Sequence, residues 1–138
     1  MTQEEKQLLI KDLCGRLPYN IKCYYNSLEI DDDIQDGIST IKGFNDGGTL
    51  VELESGDVIG IEDTMPYLRP ISNMTEKEII EWHETTFGQR WITFDNVERC
   101  VDWLNAHYFD YRIVPSTGKT LIESGIALEA PKNMYKTE

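Results

Sequence analysis

The string Pro115-Ser116-Thr117-Gly118-Lys119-Thr120 has the residue types of the second half of a phosphate-binding loop, G-x-x-x-x-G-K-S/T. In such a loop, glycines let backbone N–H groups cradle phosphates while the lysine meets the β and γ oxygens. Here Ile113 occupies the first glycine position, and 18 residues follow Thr120. That is too few for the parallel sheet and magnesium-binding Asp the chemistry requires. The string reads as a polar surface loop. Gly43 to Gly48 repeats the glycine spacing but continues with Thr49 instead of lysine, so it reads as a hairpin turn.

Asp31-Asp32-Asp33 opens like a calcium loop. Gln35 then falls at the fifth position, Asp36 at the sixth where glycine is needed, and Lys42 at the twelfth where a bidentate Glu should close the site. A solvated acidic loop is the expectation, and no metal or cofactor is expected anywhere. His107 and Cys100 share a helical stripe, but seven residues separate them by about 10 Å, beyond proton-transfer reach. His83 lies within an apolar arc and reads as a buried, hydrogen-bonded histidine. Cys14, Cys23 and Cys100 form no C-x-x-C pair and read as reduced, mostly buried thiols.

Aromatic residues carry the other candidate site. Trp82, Trp91 and Trp103 fall within 22 residues, and Tyr67 and Tyr108 flank them. Helix–helix packing accounts for tryptophans at this spacing. Left exposed, the same five would make an anchor for a protein partner.

Charge narrows the partner class. The net charge is −12, and the segment from Leu28 to Asp63 holds eleven acids against one base, Lys42. Asp31, Asp32, Asp33, Asp36, Glu52 and Glu54 are expected to form an acidic surface. That sign argues against direct binding to a phosphate backbone. No apolar run approaches the ~20 residues of a membrane span. The acidic Glu4-Glu5 start reads as incompatible with a secretory signal, so a cytoplasmic location is expected.

The elements that must position these residues read as one α+β domain over residues 1–138. Thr2 and Glu5 form a capping box ahead of a helix over residues 3 to 15, with Leu9 and Leu13 as its inner stripe. Ile21, Cys23 and Tyr25 alternate as in a half-buried strand. Three more short strands are expected over Gly37–Phe44, Thr49–Glu54 and Val58–Glu62. Their short turns leave no room for crossovers, which predicts a small antiparallel four-stranded meander or partial SH3-like barrel. Pro66 and Pro70 are expected to end the sheet. Two to three C-terminal helices follow. The first is capped by Thr75 and Glu78, with Ile79, Ile80, Trp82 and His83 in one inner arc. The second runs from about Thr93 to Tyr108 with Val97, Val101, Leu104 and Tyr108 inward. Thr120 to Leu128 reads as a helical turn broken at Gly125.

Three ordered stretches carry a resemblance: Met1 to Leu9 with Leu17-Pro18-Tyr19; Pro66-Tyr67-Leu68-Arg69-Pro70 with Ser72 to Thr75; and Val101 to His107 with Phe109 to Arg112, Leu121-Ile122 and Ala130-Pro131. The chain resembles a family of small acidic proteins from gut anaerobic bacteria, their phages and other mobile elements. The resemblance implies a phage or mobile-element setting and no catalytic residues. Together these observations predict a non-enzymatic protein-binding or adaptor protein. One alternative is an acidic mimic of nucleic acid that inhibits a DNA- or RNA-binding protein. Another is a small enzyme with a His/carboxylate or Cys/His site.

Overall fold

A computed structural model describes residues 2–26, 37–86, 94–132, 134 and 135. The chain is α+β, with an N-terminal helix, a mixed sheet and C-terminal helices.

Helix α1 spans Gln3–Arg16. The Thr2 hydroxyl accepts the Glu5 N–H at 3.1 Å, and Glu4 and Glu5 at the start complement Arg16 at the end. Leu9 and Leu13 are fully buried against the sheet, as their spacing requires. The sheet begins with β1 (Lys22–Tyr25), β2 (Gly37–Asn45), β3 (Leu50–Leu53) and β4 (Val58–Gly60), consecutive antiparallel neighbours. A bulge between Ile41 and Gly43 shifts the β2–β3 register. The turn into β3 brings Gly48 against Ile10 of α1. A β-carbon there would meet the isoleucine at 3.2 Å, and its φ of +93° also favours glycine.

The sheet does not end at the prolines. Thr64–Pro70 is β5, an interior strand antiparallel to β1. The Asn26 N–H donates to the Asp63 carbonyl, which sets the ladder's alternation so that Pro66, opposite Cys23, falls at a non-hydrogen-bonded pair. Proline costs no β1 bond there. On its other edge β5 takes two parallel partners, β6 (Phe109–Asp110) beside Arg69–Pro70 and β9 (Leu128–Glu129) beside Tyr67–Leu68. Among the described residues the sheet therefore has seven strands and is mixed, correcting the four-stranded antiparallel expectation. β7 (Ile113–Val114) and β8 (Lys119–Thr120) make a separate hairpin. Turns and β9 stand where the tail was expected to be helical.

Helices α2 (Glu76–Thr86) and α3 (Phe94–Ala106) lie between β5 and β6 in the chain and pack on each other. Gly15 admits α3 against α1, since a β-carbon there would sit 2.8 Å from Asn105 Nδ2. Of the expected inner face of α3, Leu104 is buried but Val97 is exposed. Tyr135 closes the core. Pairing of β1 with β5 stops at Cys23–Pro66. One step further, the Lys22 N–H donates to the Tyr135 hydroxyl at 2.9 Å, and that hydroxyl donates to the Tyr67 carbonyl at 2.9 Å.

Candidate functional site

The orientation of α2 follows from its first turn. Thr75 Oγ1 accepts the Glu78 N–H at 3.2 Å, and Glu78 Oε1 accepts the Thr75 N–H at 2.9 Å, a complete capping box. The same carboxylate receives Arg69 of β5 through two bonds, Nη1 to Oε2 and Nη2 to Oε1, both 2.7 Å. Arg69 also lies over the Phe109 ring, 4.4 Å from its centroid. Burial pushes the Glu78 carboxyl up, but the hydrogen bonds and charge of Arg69, with those from Thr75, prevail and bring its pKa down to about 2.

Because Glu78 must point inward to reach Arg69, α2 keeps only Trp82 of its expected apolar arc inside and turns Ile79, Ile80 and His83 outward. At 100° per residue, Glu78, Glu81, Trp82 and Thr85 share the inner side. Glu78 is buried and the other three are half-buried. Ile79 and Ile80 remain 41% and 60% exposed, and His83 is exposed beside them. The expectation of a buried His83 is thus corrected. Ile71, in the turn before α2, is also exposed. Glu76, Lys77 and Glu84 are the exposed charges on the helix.

The aromatic set divides. Trp82 and Trp103 meet between α2 and α3 with centroids 5.3 Å apart, and Trp103 stacks on Phe109 at 5.8 Å. Tyr108 turns elsewhere: it stacks on Tyr135 at 3.6 Å and donates its hydroxyl to the Tyr19 carbonyl. Tyr67 packs half-buried against the core. Among the four described members of the expected patch, Trp82 and Trp103 pair with each other while Tyr108 pairs with Tyr135, because α2–α3 contacts and the C-terminal segment recruit different rings. Trp91 lies outside the described residues, as do Asp31, Asp32, Asp33 and Asp36. Glu52 is half-buried on β3, and Glu54 is exposed just after it.

His107 stacks on Trp103 at 4.0 Å, and its Nδ1 lies 2.8 Å from the Trp103 carbonyl, which fixes the proton on that nitrogen. Its Nε2 stands 3.8 Å from Glu81. Clefts of about 350, 360, 390 and 400 Å³ open on the surface, and neither histidine lines them. Among the described residues no three His, Cys, Asp or Glu side chains are grouped to hold a metal. Pro115 to Lys119 is an exposed hairpin turn, with Gly118 at φ +70°. Burial pushes the Cys23 thiol up to about 12, whereas Cys14 is exposed.

Compared with protein-family models, curated proteins and solved structures, the chain gives no match. No described helix is long and apolar enough to cross a membrane.

Sequence reasoning missed the buried ionic groups. Asp12 is fully buried and binds Arg16 Nε at 2.8 Å and Arg112 Nε at 2.8 Å. Arg16 donates in turn to the Phe109 carbonyl at 2.6 Å. The four-residue spacing of Asp12 and Arg16 was a visible signal of an ion pair on one helix face. The Arg69–Glu78 pair had none, because a strand and a helix supply one partner each.

Proposed function

We propose that this chain is a non-enzymatic protein-binding module, in the phage or mobile-element setting that its sequence resemblance implies. Its docking surface is the outward face of α2. The inversion of that helix supports the reading: α2 sets a carboxylate against β5 and holds two isoleucines in water. Solitary exposed apolar residues are ordinary, but adjacent isoleucines on a helix whose inner side is largely polar mark an interaction surface. Covering what remains exposed of Ile79 and Ile80 contributes roughly 2–3 kcal/mol.

The test is affinity capture with the chain and with its Ile79→Asp/Ile80→Asp variant. Because both side chains are exposed, the variant keeps its fold, within about 0.5 kcal/mol per site. A specific partner retained by the chain and lost by the folded variant is the expected result. Equal retention by both would remove α2 as the docking surface.

A further inference from the structure

Resting on that docking reading, we infer that the occupant of the α2 face is a basic amphipathic helix of another protein, and not a second copy of this chain. Two occupants suit an apolar helical stripe, a foreign helix and the same stripe from another molecule. Charge separates them. A second copy would bring a net charge of −12 against −12, which opposes self-association.

The local arrangement has the same sign. Glu76 stands one turn before the isoleucine pair and Glu84 one turn after it. In an antiparallel contact of two α2 helices centred on Ile80, Glu76 of each copy faces Glu84 of the other. In a parallel contact each glutamate meets its own equivalent. Lys77 is the only Lys or Arg on the helix and does not offset both acids. A foreign helix meets these constraints when apolar residues at i, i+3, i+4 and i+7 lie over Ile79 and Ile80, with Lys or Arg outside them. Glu76 and Glu84 are eight residues apart, about 12 Å along the axis. The partner's basic residues should have a similar separation, about two helical turns.

The probe is a fluorescently labelled helical peptide with leucines at i, i+3, i+4 and i+7 and lysines flanking them. A matched peptide carries glutamates in place of the lysines. Anisotropy should show the lysine peptide binding the chain, weakening as salt rises, with the glutamate peptide at least about tenfold weaker. Ile79→Asp/Ile80→Asp supplies the decisive control, because it makes the surface more negative. Attraction by charge alone would strengthen binding to that variant, whereas docking on the stripe predicts a loss of at least about tenfold. Glu76→Lys/Glu84→Lys should weaken the lysine peptide and strengthen the glutamate peptide.

Equal binding of both peptides, no binding of the lysine peptide, or undiminished binding to the aspartate variant would each overturn the basic-helix occupant. Sedimentation revealing a dimer that the aspartate variant abolishes would overturn it in favour of the second copy. A natural partner lost with the isoleucines but carrying no basic helix would leave the docking surface standing and remove this inference alone.

Discussion

Replacing Glu78 by glutamine isolates the charge that orients α2. Glutamine serves at the third helical position of a capping box, so the bonds with Thr75 have a substitute and the main loss is the negative charge facing Arg69. Both side chains of this pair are largely buried, Glu78 at 5% exposure and Arg69 at 13%. The carboxyl's pKa falls from 4.5 to about 2 on folding, which corresponds to about 3 kcal/mol of stability at neutral pH. The sign follows from the direction. A depressed carboxylate contributes fully above its unfolded value of 4.5 and loses its contribution as pH falls towards 2. About 60% of it is gone by roughly pH 3.

Glu78→Gln should therefore cost about 3 kcal/mol at pH 7, within the lower range for breaking a buried ion pair. That lowers the urea midpoint by roughly 1–3 M. The gap between wild type and variant should narrow to about 1 kcal/mol near pH 3. Urea titrations at several pH values, followed by tryptophan fluorescence, measure both quantities, since Trp82 and Trp103 pack beside the ion pair's elements. A deficit below about 1 kcal/mol at pH 7, or one that stays constant down to acid pH, would refute the assignment of α2's orientation to this pair.

Two further outcomes probe the core. Tyr135→Phe keeps the ring against Tyr108 but removes the hydroxyl shared by Lys22 and Tyr67. It should cost about 1–3 kcal/mol and speed hydrogen exchange at the Lys22 amide; unchanged protection there would disprove the bridging role. Alkylation of the native protein at mildly alkaline pH should modify Cys14 and spare Cys23 until denaturant is added, as mass spectrometry of the labelled peptides will show.

Much of the local structure was legible because its causes are local. Thr2 with Glu5 and Thr75 with Glu78 act within one helical turn, and both caps form where their spacing places them. Alternation through Ile21, Cys23 and Tyr25, and the glycine-rich turns after it, marked β1 to β4 because a hairpin's signals are contiguous. The prolines misled because a missing N–H matters only when a ladder bond is due at that position. Pro66 occupies a position where β1 requires none.

The acidic balance, the two helix N-caps, the hairpin strands and the absence of an intact phosphate loop follow from residue types and short spacings, which the chain carries wherever it folds. Tertiary structure decided the face α2 shows to water, the parallel strands β6 and β9, and the division of the aromatic set. Periodicity measures apolarity around a helix, yet Glu78 turns inward because Arg69 waits on β5, nine residues earlier in the chain. Tyr135 completes the β1–β5 ladder from 113 residues away. Contacts of that range depend on which surfaces meet, and no local pattern encodes the meeting.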